Sequence, residues 1–573
     1  MTKGFRKGLT SYGDAGFSLF LRTAFIKAMG YSDDALERPI VGITNTSSDF
    51  NPCHGNAEDL IESVKRGVML AGALPMVFPT ISIGESFAHP TSMFLRNLMA
   101  MDTEEMIRAQ PMDALVVIGG CDKTLPAQVM AVASTDMPTV VVQTGPMVVG
   151  HHKGEVLGAC TDCRRLWGQH RAGTIDAAEI KVISGRLAPS VGTCMVMGTA
   201  STMACIVEAL GMALPMSAAA PATHADRRRI AEESGKRAAE MALTGAPVPS
   251  ELITDASVRN AMVVLQAIGG STNGLIHLTA MAARAGVKVD LDAFDKLGRE
   301  IPVLLNLKPS GTHYMEHFHH AGGLPALMRE LTPFLDLSAR SVSGGTIGDA
   351  IAAAETVPGQ DVIYSFAAPL KEEGAMAVLW GNLAPQGAVI KHSAASAKLV
   401  RHTGRAVVFE SVEDMTARID LPDLDVHEDD VLVLRNAGPK GAPGMPEAGY
   451  LPIPLKLARQ GVKDMVRISD ARMSGTAFGT IVLHITPESA VGGPLAIVRT
   501  GDRIMLDVEA RRIELLVDDA EIATRLTAWK LLPPVHKRAK RGYAKLFEDS
   551  VLQADQGCDF DFLLRAEDEA GDE

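Results

Sequence analysis

The chain has 573 residues, too many for one ordinary core at about 100–200 residues per domain, so two or three domains are expected. Hydrophobic residues make up 47% and charged residues 21%, an ordered, globular composition, and aromatics at only 5% favour tightly packed α/β layers over an aromatic-rich β sandwich. A formal net charge of -13 excludes the global basic footprint of a nucleic-acid binder.

The first residues, "MTKGFRKGLTSYGDAG", carry charge but no apolar stretch, so no signal peptide is expected. "RPIVGITNT" reads as a buried strand, followed by a polar loop holding Cys53. "GNAEDLIESVKRGVMLAG" has the spacing of an amphipathic helix, and "LPMVFPTISIGE" is the next strand. "MDALVVIGG" is a third strand with Cys121 just past its end, and a helix follows from about Pro126, where proline suits a first turn. "MPTVVVQTGP" is a further strand. Strands separated by single helices predict a parallel sheet, whose ligand crevice lies beyond the carboxyl ends of the strands. Cys53, Glu85 and Cys121 all follow strands, so one crevice can collect them.

Met195 to Ala222 is almost uncharged, but Glu208 and Pro215 interrupt it, which predicts a buried helix rather than a membrane span. The texture changes near "AETVPGQD", residues 354–361, after which elements are shorter and more β-like. Ile504, Leu506 and Val508, then Ile513, Leu515 and Val517, alternate on two arms and predict a hairpin turning near Glu509 to Arg512. The expected architecture is α/β: an N-terminal parallel-sheet α/β domain over 1–365 and a C-terminal β-barrel-like domain with flanking helices over 366–573. The basic run "KRAKR" at 537–541 reads as a solvated surface segment, and "RAEDEAGDE" as a frayed acidic tail.

Seven cysteines, at 53, 121, 160, 163, 194, 205 and 558, are too few and scattered for a disulfide scaffold, which suits a reducing cytoplasm. Cys53 in "NPCHGN", Cys121 in "GGCDK" and Cys194 in "SVGTCMVMGTA" lie in Gly- or Pro-rich contexts. Three thiolates suit an iron–sulfur cluster or zinc with one open position, although spacing alone does not separate them from unrelated core cysteines. Cys160 and Cys163 form an isolated CxxC, Cys205 lies in an apolar helical run, and Cys558 offers nothing specific. His313, His317 and His320 fall at i, i+4 and i+7 of one helix face, and "GHHKGE" at 150–155 forms a polar loop. Glu85, Asp122 and Glu447 are candidate ligands for magnesium (Mg2+), a hard cation that prefers carboxylate oxygen. Ser474 in "SDARMSGTAFG" has no GxSxG elbow, so an acyl-transfer triad is unsupported; near a strong cation it can lose its proton and act as a base.

"PCHGNAEDL", "GGCDKTLPA", "PSVGTCMVMGTASTMACIVEALGMALP", "WGNLAPQGAVIK" and "SDARMSGTAFG" together resemble the dihydroxy-acid dehydratase family, which includes sugar-acid dehydratases and phosphogluconate dehydratase. The resemblance implies two domains, with an active site between them and a homodimer or homotetramer. It implies an iron–sulfur cluster on Cys53, Cys121 and Cys194, magnesium on Glu85, Asp122, Glu447 and a carbamylated Lys123, and Ser474 as catalytic base. Cys160, Cys163 and Cys205 match none of the cluster positions. "GCDKTLPA", "GHHKGE" and "SVGTCMVMGTA" resemble the sugar-acid branch, which implies a [2Fe-2S] rather than a [4Fe-4S] cluster. Valine-pathway members usually have asparagine after the lysine of "CDK" and a "GACGGM"-like loop. The chain departs from the arabinonate and xylonate dehydratases at "ACTDCRRLWGQH".

The implied reaction removes water from a 2,3-dihydroxy acid, most simply an aldonic sugar acid, to give a 2-keto-3-deoxy acid; 2,3-dihydroxyisovalerate is the alternative substrate. Burial and nearby cations are expected to lower the pKa of Lys123, freeing its amine. In "GGCDK" the soft and hard ligands are expected to diverge from one backbone turn, Cys121 to one metal centre and Asp122 with Lys123 to the other.

Overall fold

The computed structural model describes residues 3–9, 12–530 and 537–565, so the expected acidic tail lies, beyond Arg565, outside the described residues. Strands β1 (Ile40–Asn45), β2 (Leu74–Pro79), β3 (Ala114–Gly119) and β4 (Thr139–Gln143) form one sheet in the order β2-β1-β3-β4. Every neighbouring pair in it is parallel. β3 and β4 are buried at every position, which explains their unbroken apolar sequences. The chain winds outward from β1 to β2 on one side and from β3 to β4 on the other. The winding therefore reverses between β1 and β3, and the crevice opens past the ends of those two strands.

Helices close both faces of this sheet. Ala57–Leu70 buries Leu60, Ile61, Val64 and Val68 on one stripe, as its spacing predicts. Thr124–Thr135 carries Pro126 in its first turn. The uncharged segment near Met195 supplies Thr199–Ala209, a helix buried along its whole length. Its Glu208 accepts the backbone N–H groups of Met216 at 2.9 Å and Ala218 at 2.7 Å. No helix of the described residues is long and apolar enough to cross a membrane. "GHHKGE" forms a two-stranded ribbon of β5 (Gly150–His152) and β6 (Glu155–Leu157).

The second half holds β7 (Ala377–Gly381), β8 (Ala384–Ile390), β9 (Arg401–Phe409), β10 (Val431–Leu434), β11 (Val466–Ser469), β12 (Ile481–Leu483), β13 (Arg503–Asp507) and β14 (Arg512–Leu515). They close into an eight-stranded mixed barrel in the order β10-β11-β12-β8-β7-β14-β13-β9. Alternation sorts their side chains: Val431, Val433, Val466, Ile468, Ile504 and Leu506 share one core. Val407, Phe409, Leu432 and Leu434 point the other way and pack with Met415 and Ile419. The expected hairpin is present, pairing Ile504 with Leu515 and Leu506 with Ile513. Residues 537–541 are largely exposed.

The end of the described chain returns to the first half. Arg96, fully buried, donates to the carbonyls of Gly557 at 2.8 Å and Cys558 at 2.9 Å. Arg284 holds Asp559 through contacts of 2.6 and 3.0 Å, with neither side chain exposed.

Candidate active site

The turn "GGCDK" leaves β3 at the crevice. Gly120 is required there, because a Cβ would lie 1.7 Å from Thr144 Oγ1. The loop after β1 brings His54 against the same turn. Its Nδ1 lies 3.0 Å from the Thr46 carbonyl, and its Nε2 accepts the N–H groups of Gly120 at 3.0 Å and Cys121 at 3.2 Å. Burial lowers the pKa of His54 to about 4, so the neutral ring keeps both roles. The next two residues diverge from Cys121: Lys123 Nζ lies 3.0 Å from Glu85 Oε2 and 3.4 Å from Asp122 Oδ2, while the Cys121 thiol contacts Cys53.

Glu85, Asp122 and Glu447 each present a carboxylate oxygen, and all three fall within 4.8 Å of one another. Two cations serve this group. Lys123 is fully buried, and Arg472, also fully buried, donates to Glu447 Oε1 at 2.5 Å and to Thr91 Oγ1 at 2.7 Å, with Glu85 at 3.7 Å. Asn273 Nδ2 donates to Glu447 Oε1 at 3.4 Å, to Thr199 Oγ1 at 3.0 Å and to the Met473 carbonyl at 3.0 Å. Ser92 donates to Glu85.

The charges interact strongly. Burial opposes ionisation of Glu85, but Lys123 and Arg472 override it and hold the pKa at about 2. Burial, and next the charge of Glu85, push Glu447 upward; burial also raises Asp122. For Lys123 the sequence expectation fails. Burial and Arg472 do pull its pKa down, but Glu85, Asp122 and Glu447 outweigh them and raise it, favouring the ammonium. Three carboxylates face two fixed cations, and the buried Asn273 Oδ1 has no hydrogen-bond partner. An oxygen-rich, electron-rich site of this kind fits a hard divalent ion.

The cysteines form two pairs. Cys53 meets Cys121, and Cys194 meets Cys160 with their sulfurs 2.8 Å apart. Cys194 is also within electrostatic reach of Cys53, Cys121 and Asp122, so both pairs and the carboxylates belong to one neighbourhood. Two thiol pairs beside a hard-ligand site fit a soft, multi-iron group, whose ligands need not converge on one point. Cys205 lies in the core, fully buried, as expected.

One loop of the barrel half joins the two neighbourhoods. It runs from Arg472, at the carboxylates, to Thr476, whose carbonyl accepts from Thr161 Oγ1 at 3.2 Å, directly after Cys160. Ser474 lies midway, with its Oγ 2.7 Å from Thr476 Oγ1. Gly475 lets the loop press against Ser271, where a Cβ would lie 2.5 Å from the serine side chain. Glu447 begins a short helical turn, Glu447–Tyr450, whose Gly449 N–H is bonded to the Arg472 carbonyl at 3.0 Å.

The histidine face forms only in part: the rings of His313 and His317 meet with centroids 5.2 Å apart, but His313 itself is not helical. The helix spans Met315–His320 and begins after an extended Tyr314, so His313 lies outside its phase. His313 pairs with Asp361 at 3.1 Å, while His320 packs near His224 and His319. Among the described residues, His224, Asp226 and His319 form the other group able to converge on an ion, but Arg229 already pairs with Asp226.

Arg472, Asn273 and His54 are site residues that the sequence did not single out, and Cys160 stood out there only as half of a CxxC. Arg472 and His54 stand inside motifs already quoted, two residues from Ser474 and one from Cys53; an unpaired buried charge needs a partner, and that signal pointed to Arg472. Asn273 sits in "GGSTNG", which reads as a helix start and nothing more.

A parallel sheet with a switch-point crevice, a closed barrel lending one carboxylate and a serine loop, and paired thiols beside clustered carboxylates define a two-part enzyme architecture. The chain belongs to the dihydroxy-acid/6-phosphogluconate dehydratase family, whose N-terminal description matches residues 38–350 and C-terminal description residues 361–558. It is 45% identical to an L-arabinonate dehydratase of Rhizobium leguminosarum bv. trifolii, over 96% of this chain and 95% of the relative. It is 45% identical to a 6-deoxy-6-sulfo-D-gluconate dehydratase of Pseudomonas putida, over 93% and 92%. A dihydroxy-acid dehydratase of Moorella thermoacetica is 38% identical over 93% and 97%.

Proposed function

We propose that this chain is a hydro-lyase that dehydrates an aldonic sugar acid to its 2-keto-3-deoxy acid. The observation that carries the reading is the loop Arg472–Ser474–Thr476, which ties the carboxylate group to the thiol group and sets a hydroxyl between them. The greater identity to sugar-acid dehydratases, 45% against 38%, favours an aldonate over 2,3-dihydroxyisovalerate.

Glu85, Asp122 and Glu447 would hold magnesium, joined by a carbamylated Lys123 once the ion's charge offsets the carboxylates that favour the ammonium and carbon dioxide adds to the neutral amine, and Cys53, Cys121 and Cys194 would hold a [2Fe-2S] cluster. When bound, these groups supply Lewis acidity toward the substrate's oxygens. Arg472 aims Glu447 inward and opposes the burial that pushes its pKa up, and with Lys123 it keeps Glu85 ionised. Asn273 fixes Glu447 and the Met473 carbonyl, and so the start of the serine loop. Ser474, deprotonated, takes the C2 proton; the C3–O bond breaks, and the departing 3-hydroxyl receives that proton from Ser474, leaving as water and restoring the alkoxide. The resulting enol shifts its hydroxyl proton to C3 and becomes the ketone. Thr476 holds the Ser474 oxygen in place.

A cytoplasmic homo-oligomer accompanies this reading; the exposed Phe17, Phe20 and Phe25 of the helix Ala15–Ala28 support association with a second copy.

The test combines anaerobic purification, iron, sulfide and magnesium analysis, and a panel of C5 and C6 aldonates with 2,3-dihydroxyisovalerate. Turnover of an aldonate, lost in Ser474→Ala while metals are retained, is expected. Turnover of 2,3-dihydroxyisovalerate alone would overturn the substrate assignment, and normal turnover by Ser474→Ala would overturn the base.

A further inference from the structure

The CxxC at 160–163 has no part in the scheme above, yet it delivers a thiol to the cysteine group. Cys160 Sγ lies 2.8 Å from Cys194 Sγ, closer than unbonded sulfurs pack. The Cys160 backbone takes φ 78° and ψ -57°, a conformation that a residue bearing a side chain rarely adopts. Its neighbours hold it there. Asp162, almost fully buried, accepts from the Gly158 N–H at 2.8 Å, from Lys308 Nζ at 3.0 Å and from Tyr314 Oη at 2.9 Å. Thr161 donates to the serine loop at Thr476. Cys160 is thus a strained residue whose next two neighbours are tied down by four contacts, with its sulfur against a candidate ligand. Cys163 also touches the Cys160 thiol, but its own thiol is turned to the Cys160 carbonyl at 2.9 Å, and it reaches the other cysteines only through Cys160. Both border a 620 Å3 cavity with Leu166, Trp167, Ile180 and Leu187.

We propose that Cys160 is a fourth thiol ligand of the iron–sulfur site, sharing an iron with Cys194 while Cys53 and Cys121 hold the other. The inference rests on the cluster reading given above and deepens it. Three thiolates are permanent, and the fourth is exchangeable. A ligand beside a cavity is suited to leave when a substrate hydroxyl arrives, because the cavity can receive the side chain.

The experiment uses full-length protein reconstituted anaerobically with iron and sulfide. Mössbauer and resonance Raman spectra are recorded for wild type and for Cys160→Gly, since glycine tolerates the positive φ. The expected result is unchanged iron and sulfide content with altered spectra, one iron losing a sulfur ligand. Loss of the cluster from folded Cys160→Gly, but not from Cys163→Ala, supports the proposal equally. Superimposable spectra overturn it. Should the glycine variant not fold, alkylation of the wild type decides: Cys160 is expected to be protected in loaded protein and reactive after iron is stripped, while Cys163 reacts in both. Equal labelling of Cys160 in the two states, or a Cys160–Cys194 disulfide in loaded protein, overturns the assignment. Wild type that takes up no iron or sulfide sinks the cluster reading itself and this inference with it, a result distinct from an intact cluster indifferent to Cys160.

Discussion

The imidazole of His54 accepts the backbone N–H of Cys121 at 3.2 Å, one residue after Cys53 and at the point where β3 ends. Through this contact the loop after β1 and the turn after β3 are set by a single side chain. His54→Ala would leave the N–H groups of Gly120 and Cys121 buried and unpaired, at about 1–3 kcal/mol each. Urea unfolding of metal-free protein is expected to register a loss of roughly 2–4 kcal/mol, together with poorer iron uptake. An unchanged unfolding midpoint would show that water or another group replaces the ring.

Arg472 is the cation through which the barrel half grips the carboxylates. Arg472→Met leaves Glu85, Asp122 and Glu447 with Lys123 alone, and breaking a buried pair in this way costs about 3–5 kcal/mol. Thermal unfolding should drop by several degrees and turnover by at least about 100-fold. Arg472→Lys should recover stability better than activity, because an ammonium cannot reach Glu447 and Thr91 with a planar fork. Equal recovery of both would reduce Arg472 to a charge-balancing role.

Lys391 offers a pH test away from the carboxylates. Its amine is buried, has no hydrogen-bond partner, and burial lowers its pKa to about 7. The unfolded chain holds this proton up to about pH 10.4. Stability is therefore greatest above that value and falls as pH drops toward 7, where the loss, roughly 4 kcal/mol, is complete. Lys391→Met removes the dependence. Its advantage in melting temperature over wild type should be larger at pH 7 than at pH 9, and an equal advantage at both would contradict a neutral buried amine.

Asp559 neutralises Arg284 where neither has solvent. Asp559→Ala should destabilise by about 3–5 kcal/mol, and Asp559→Asn by less, since the amide keeps hydrogen-bond acceptance without the charge. Chemical denaturation of the three proteins checks the order. A milder effect for alanine than for asparagine would contradict the packing seen here.

Much of this fold was legible because burial leaves periodic marks. β1, β3 and β4 read as apolar runs, and the Ile504–Leu515 hairpin reads from alternation. The histidine pattern was legible only in part: His313 and His317 do meet, but an i, i+4 pattern does not say where a helix begins, and Tyr314 is extended. At the site, the residues that emerge from strand ends were visible as motifs. Their mutual charges were not. The pKa of Lys123 depends on three carboxylates drawn from distant parts of the chain, one of them from the barrel half, and no local window contains that sum. Cys160 was set aside for a related reason: its CxxC names Cys163 as partner, and the fold keeps that contact while adding Cys194 from a distant loop.

The carboxylate site takes Glu85 and Asp122 from one half of the chain and Glu447 from the other, with Arg472–Thr91 and Asn273–Glu447 spanning the divide. For recombination between relatives, this seam sets the rules. A crossover near residues 350–361, in the gap between the two matched regions, should yield working hybrids when both parents carry threonine, asparagine, glutamate and arginine at these four places. Parents that differ at any of them should give hybrids that fold each half and assemble no site.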